Sequence, residues 1–115
     1  MDFIGRNDSS DNKTGFSFVE DNCTENTCHF TLQGRVSVNE AAYMESALEQ
    51  AMAKGCTVII INMCMVNHFS SGGIRVILSF HKKLFNKGGK LQIENPSENV
   101  KNVIGLTALD ELLLR

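Results

Sequence analysis

The run Thr57-Val58-Ile59-Ile60-Ile61 constrains the fold more than any other segment of the chain. It is short and continuously apolar, which is typical of a central strand that is covered on both faces. Strands of this kind belong to sheets flanked by helices, and helical patterns precede and follow this run. The run therefore predicts an α/β domain.

Three further strands are predicted from alternating patterns. Gly15–Val19 and Cys28–Leu32 alternate like half-buried strands, and the turn-rich segment 21–27 between them predicts a hairpin. Lys90–Glu94 alternates in the same way and is ended by Asn95-Pro96. Together with the apolar run, these segments predict a small mixed β-sheet of about four strands with helices packed on it.

Helical patterns fill the intervals between these strands. Ser37-Val38-Asn39-Glu40 fits a capping box and begins a helix that ends near Gly55. A second helix begins at Ser70 or Ser71 and ends at Gly88-Gly89. Its apolar positions recur at helical spacing: Ile74, Ile77, Leu78, Leu84 and Phe85. Two short helices are predicted after the last strand, at residues 97–104 and 108–114, which gives the order ββαβαβαα.

Composition excludes several classes of function. The chain has 115 residues, of which 43% are hydrophobic and 21% charged, as expected of one globular domain. A net charge of −2 and scattered basic residues offer no footprint for nucleic acid. No segment approaches the roughly 20 apolar residues that span a bilayer, and no signal peptide is recognisable, so we expect a cytoplasmic protein without membrane insertion. Residues 1–14 are polar and predict a mobile tail before a domain at 15–115.

Four cysteines raise the question of disulfides or a metal site. Cys23 and Cys28 are separated by four residues, while Cys56 and Cys64 lie inside or beside the apolar run. There is no CxxC motif, and the three histidines complete no zinc pattern, so we expect free thiols, no metal and no cofactor. Cys23 and Cys28 can face each other across the predicted hairpin, which leaves oxidation of that pair open.

The segment Ser70-Ser71-Gly72-Gly73 is the candidate functional site. A hydroxyl at a strand-to-helix turn lies beside the free backbone N–H groups of the helix start, and these groups favour an anion. The segment therefore suits a phosphate, either carried by a ligand or attached to a serine. Local sequence alone favours a plain helix cap followed by a tight glycine turn.

Catalysis is not expected from this segment. Neither His68 nor His81 is placed as a base for a serine nucleophile. Gly72-Gly73 also lacks the glycine spacing and the lysine of nucleotide-binding motifs. We therefore expect a binding protein and not an enzyme.

Four ordered segments carry a resemblance to a known family. They are Leu32-Gln33-Gly34-Arg35-Val36, Val58-Ile59-Ile60-Ile61-Asn62, Leu91-Gln92-Ile93-Glu94-Asn95 and Val103-Ile104-Gly105-Leu106-Thr107-Ala108-Leu109. In this order and spacing, over roughly residues 16–115, they resemble the STAS domain in its small single-domain form, the bacterial anti-sigma factor antagonists. The resemblance implies a STAS-like fold.

The resemblance also implies which serine takes a phosphate. The family's signature loop usually contains Asp-Ser-Ser/Thr-Gly-Leu-Gly, and the serine after the aspartate is phosphorylated. Alignment of the following helix places Gly73 on the glycine and Ser71 on that serine. A shift by one residue would select Ser70, but it would turn Arg75 toward the core, where an unpaired charge is costly. Ser70 stands where the family usually has aspartate. One branch of the family also has serine at this position and reads Ile-Ser-Ser-Ala-Gly-Leu-Arg.

The function implied by the resemblance is partner switching. Such a domain binds an anti-sigma factor serine kinase, frees the sigma factor, and is switched off when Ser71, or alternatively Ser70, is phosphorylated. The expected contact positions are Ser70, Gly72, Gly73 and Arg75, together with Arg35, Ser37 and Asn39 in a loop after the second strand. A phosphatase and a second copy of the chain are further candidate partners. The missing aspartate favours an alternative, a constitutive STAS interaction module of a transport or stress-signalling assembly.

Overall fold

A computed structural model describes residues 15–106 of the chain. The predicted tail at 1–14 and the predicted helix at 108–114 lie outside the described residues. The described elements follow the predicted order. They are β1 (Ser17–Thr24), β2 (Thr27–Val36), α1 (Val38–Ala53), β3 (Val58–Phe69), α2 (Ser71–Asn86), β4 (Lys90–Glu94) and α3 (Glu98–Leu106).

The strands form one mixed sheet whose spatial order is the same as the chain order, β1-β2-β3-β4. β1 runs antiparallel to β2 and contains a bulge between Glu20 and Asn22. β2 is parallel to β3 and β3 is parallel to β4, so each of these pairs needs a crossover, which α1 and α2 supply. This confirms the predicted small mixed sheet of four strands with helices packed on it.

The core lies between the sheet and the helices: α1 and α2 contact each other over it, and α3 packs on β3 and adds the buried Val100 and Ile104. Alternate residues of β2 and β3 point into it, as expected from the period of a strand. The sheet contributes Phe18, Phe30, Leu32, Val36, Ile59, Ile61, Met63, Leu91 and Ile93, and the helices contribute Met44, Leu48, Ile77, Phe80 and Leu84. Ile60 on the opposite face is only half-buried, so β3 is less completely covered than its apolar run predicts.

The helix ends agree with the signals in the sequence. The Glu40 carboxylate accepts a hydrogen bond from the Ser37 backbone N–H at 3.0 Å, as predicted for the capping box of α1. Gly55 follows the helix with a φ of +103°, a left-handed conformation that suits a residue without a side chain. Within residues 15–106, no helix combines the length and the apolar composition that crossing a membrane requires.

β3 continues well beyond the predicted strand, which covered only residues 57–61. Its second half pairs with the end of β2, where Gly34 is opposite Val66 and Val36 is opposite Phe69. The register shifts twice, between Thr31 and Gln33 and again between Gly34 and Arg35. Cys64 and Met65 are both exposed, so the alternation that would mark a strand is lost. The extension brings the end of β3 beside the end of β2.

Cys28 and Cys56 form a disulfide, so the prediction of free thiols was wrong for this pair. The two residues are 28 positions apart, and a backbone contact brings them together. The Asn26 carbonyl in the β1–β2 turn accepts a hydrogen bond from the Thr57 N–H at 2.9 Å, which holds the turn after α1 at the start of β2. Cys23 does face Cys28 across the hairpin, as predicted.

Candidate functional site

The candidate site lies where β2 and β3 end and where α1 and α2 begin. β3 ends at Phe69, and the N–H of the next residue, Ser70, donates to the Val36 carbonyl at 3.0 Å. A Cβ atom added to Gly72 would lie 3.7 Å from the Cβ of Ala41. The first turns of the two helices therefore pack side by side at this edge of the sheet.

The two adjacent serines have different environments. Ser70 is the N-cap of α2, and its Oγ accepts a hydrogen bond from the Gly73 N–H at 3.3 Å. Its carbonyl accepts the first helical hydrogen bond, from Ile74 at 3.1 Å. Ser71 is the first residue of the helix and is exposed, whereas Ser70 is half-buried. The capping role thus falls to Ser70, while Ser71 faces solvent.

This division of roles predicts different costs for removing each hydroxyl. Ser70→Ala is expected to lower the free energy of unfolding by about 1 kcal/mol, because the Gly73 N–H loses its cap. Ser71→Ala is expected to change it by less than about 0.5 kcal/mol, as is usual for an exposed residue. Urea denaturation followed by circular dichroism measures both. Equal losses in the two variants would contradict the assignment of the cap.

The surroundings of Ser71 favour a negative charge. The first turn of α2 contains no acidic residue, and its free backbone N–H groups point toward the helix start. Arg75 is exposed and lies four residues after Ser71, so the two side chains are neighbours on the helix surface. Glu40, the acidic residue in the first turn of α1, already accepts a hydrogen bond from the Ser37 backbone N–H.

The predicted contact residues after β2 are not in a loop, and that part of the prediction is corrected. Arg35 belongs to β2, where it is opposite His68 of β3 and exposed. Ser37 is the half-buried N-cap of α1, and Asn39 is exposed in the first turn of that helix. Their positions at the ends of regular elements place them at the same edge of the sheet as Ser71.

Gly73, which is predicted as a partner contact, is buried in the domain. A Cβ atom at this position would lie 2.8 Å from the Phe69 ring and 3.2 Å from a methyl group of Val36. The missing side chain therefore allows α2 to pack closely on the ends of β2 and β3. Gly72 is half-buried, and a Cβ there would meet only ordinary van der Waals contacts.

Val38 is a residue of this site that the sequence analysis did not identify. Its side chain is 75% exposed, and its Cα lies 4.0 Å from the position of a Cβ on Gly72. An apolar side chain therefore borders the turn that carries Ser71. Its spacing of three residues from the buried Ala41 is that of a core position, so the pattern does not predict its exposure.

Comparison with known proteins gives a family and a set of similar structures. A family model described as the STAS domain matches residues 19–114. A search of curated proteins found no match.

The similar solved structures include two forms of one protein. The unphosphorylated anti-sigma factor antagonist SpoIIAA is 21% identical, with a TM-score of 0.78 over 85% of this chain and 86% of that chain. The phosphorylated form of SpoIIAA, a Bacillus cell fate determinant, is 21% identical with a TM-score of 0.71 over 85% and 89%. An anti-sigma factor antagonist from Mycobacterium paratuberculosis is 17% identical, with a TM-score of 0.75 over 85% and 82%. At these identities the likeness shows a shared fold.

Proposed function

The chain belongs to the STAS domain family, and we propose that it is an anti-sigma factor antagonist controlled by phosphorylation of Ser71. In this proposal the unphosphorylated domain binds an anti-sigma factor kinase, and the sigma factor held by that kinase is released. The observation that carries the proposal is the exposed position of Ser71 at the first residue of α2, next to a separate capping serine.

A phosphate on Ser71 affects the domain and its complex differently. It adds about −1.5 to −2 charges at pH 7. In the free domain this charge is stabilised by the N-terminus of α2 and by the neighbouring Arg75. In a close interface it must lose its water or meet acidic groups of the partner, which is costly. The fold therefore survives phosphorylation and the complex does not.

The proposed partner surface consists of residues around Ser71 that are accessible. Val38 supplies an exposed apolar centre beside Gly72, and exposed polar side chains lie at the same strand and helix ends. Arg35, Asn39 and Arg75 are the polar members, and Ser70 contributes its half-buried edge. An apolar centre with a polar rim is the usual anatomy of a protein interface.

SpoIIAA supports the chemistry of the proposal. That protein is known in an unphosphorylated and a phosphorylated form, and both resemble this chain in fold. The same architecture can therefore carry a phosphate and remain folded. The direct experiment is incubation of the full chain with ATP and a kinase encoded beside its gene, followed by intact mass measurement and mapping of the phosphate. We expect one phosphate, on Ser71.

The proposal predicts that Ser71→Asp folds normally but binds the kinase at least tenfold more weakly, a loss of about 1.4 kcal/mol. The introduced carboxylate imitates part of the phosphate charge in the interface. Calorimetric titration of the kinase measures the affinity. Asn86→Asp is the matched control, because it adds the same charge at the far end of α2, where the side chain is exposed. Equal affinity of Ser71→Asp and the parent would refute the switch.

One observation favours the second candidate, a constitutive STAS interaction module. Ser70 occupies the place of the usual aspartate, and its hydroxyl is used to cap the Gly73 N–H. The carboxylate next to the acceptor serine is therefore missing. A stable complex that forms regardless of ATP, without any phosphate on Ser71, would establish this second function.

A further inference from the structure

Three of the four cysteines lie together near the start of β3. Ser71 follows the opposite end of the same strand. Cys23 belongs to β1, Cys28 to β2, and Cys56 lies in the turn before β3. The Cys23 sulfur is 2.7 Å from the sulfur of Cys28 and 3.4 Å from that of Cys56. A third sulfur is therefore in contact with both atoms of the Cys28–Cys56 disulfide.

The three sulfurs differ in access to solvent. Cys28 is 0% exposed and Cys56 is 2% exposed, whereas Cys23 is exposed and carries a free thiol. Exchange of a disulfide with an external thiol requires direct contact with a sulfur atom. A small thiol dissolved in water can reach Cys23, but it cannot reach the buried pair behind it.

We propose that Cys23 is the entry point of a thiol–disulfide exchange site, through which low-molecular-weight thiols reduce the buried Cys28–Cys56 disulfide. In the first step the Cys23 thiolate attacks the sulfur of Cys28. The Cys23–Cys28 bond forms, the Cys28–Cys56 bond breaks, and Cys56 leaves as a thiolate that takes up the proton lost by Cys23. No electrons enter or leave the protein in this step.

The second step uses an external thiol as reductant. Its thiolate attacks the accessible sulfur of Cys23, which forms a mixed disulfide and releases Cys28 as a thiolate. A second molecule of the thiol then displaces Cys23 and leaves as the oxidised, symmetrical disulfide. Two electrons are thereby transferred to the protein, which ends with three free thiols at this site.

The neighbourhood of Cys23 contains a cation. The Lys54 ammonium donates a hydrogen bond to a carboxylate oxygen of Glu20 at 3.0 Å. The pKa of Lys54 is raised, chiefly by this hydrogen bond, with smaller electrostatic contributions first from Glu20 and then from Cys23. Exposure to solvent is typical of cysteines that react with dissolved thiols.

The first step also has the required freedom of movement. Exchange proceeds when the attacking sulfur approaches along the axis of the bond that breaks. Cys23 is exposed, and β1 is the edge strand of the described sheet. The Cys23 sulfur lies beside the disulfide and closer to Cys28 than to Cys56, so its exposed side chain must rotate to come into line with the bond. The inference does not depend on the proposed function, because Ser71 is separated from this cluster by the length of β3.

The test measures reduction of the oxidised full chain by glutathione, in a Cys64→Ser background that removes the other exposed thiol. Samples are quenched with acid, alkylated and analysed by intact mass and by peptide mapping. We expect Cys23→Ser to slow reduction of the Cys28–Cys56 disulfide at least tenfold. In the parent we expect to detect both the Cys23–Cys28 disulfide and glutathione bound to Cys23. Cys64→Ser alone should reduce at the rate of the natural chain.

Several results would overturn the inference. One is a Cys23→Ser variant that retains the native circular dichroism spectrum and whose Cys28–Cys56 disulfide is reduced as fast as that of the parent. If this variant does not fold, peptide mapping of the parent decides, and the absence of any disulfide at Cys23 refutes the exchange. Isolation of the protein with stoichiometric zinc on the three thiolates, and without a disulfide, would show that the cluster is a metal site instead.

Discussion

Ile77→Asp is expected to unfold the domain. Ile77 is 1% exposed and lies on the face of α2 that packs into the core. The substitution removes a buried aliphatic side chain and places an unpaired carboxylate in its space. These two costs together exceed about 4 kcal/mol, which approaches the entire stability of many domains. Circular dichroism in a thermal or urea titration measures the outcome.

Ile77→Val is the matched control for this prediction. It keeps the side chain apolar and removes one methylene group, so it should cost about 0.5 to 1.5 kcal/mol and leave a cooperative transition. An aspartate variant that melts like the parent would contradict the buried position of this face of α2. The pair of variants separates the effect of a buried charge from the effect of lost packing.

Gly89→Ala is expected to be the second most damaging substitution. A Cβ at this position would lie 1.7 Å from the backbone oxygen of Thr57. That oxygen also accepts a hydrogen bond from the Lys90 N–H at 3.0 Å, where β4 begins to pair with β3. A backbone atom cannot move aside like the end of a flexible side chain, so the strands must separate. We expect a loss of at least about 3 kcal/mol, measured by urea denaturation.

The preceding glycine provides the control. Gly88 has a φ of +81°, and a Cβ there would meet no atom within 4 Å. Gly88→Ala therefore introduces only the strain of a left-handed residue, about 1 to 2 kcal/mol. If both variants lose the same stability, the close approach of Gly89 to Thr57 is not what makes this glycine necessary.

Helices and strands were predictable where a pattern in the sequence reflects interactions between residues close together in the chain. Alternation identified β1, β2 and β4, and the Ser37–Glu40 capping box located the start of α1. The second half of β3 was not predictable, because it is held by pairing with β2 across a shift in register. The Cys28–Cys56 disulfide was missed for a similar reason. The hydrogen bond from the Thr57 N–H to the Asn26 carbonyl, which brings the two turns together, joins residues far apart in the sequence.

The candidate site was predictable to the level of its turn. The Ser-Ser-Gly-Gly pattern located the start of α2, and the resemblance distinguished Ser71 from Ser70; which serine takes a phosphate remains a prediction. The neighbours of Ser71 could be identified only from the three-dimensional structure. Val38 has the spacing of a core residue but is exposed. Gly73 is buried against the Phe69 ring, which occupies the space that a side chain at position 73 would need. Both properties depend on how α1 and α2 are placed over the strand ends.

The bulge in β1 has a consequence for the domain at high concentration. A long, flat edge strand offers unpaired backbone groups to a second chain and so promotes aggregation. β1, at one edge of the described sheet, is interrupted between Glu20 and Asn22 and carries exposed carboxylates at Glu20 and Asp21. β4, at the other edge, is only five residues long. Within residues 15–106, neither edge is therefore a good template for intermolecular strand pairing, which protects the domain from edge-to-edge aggregation.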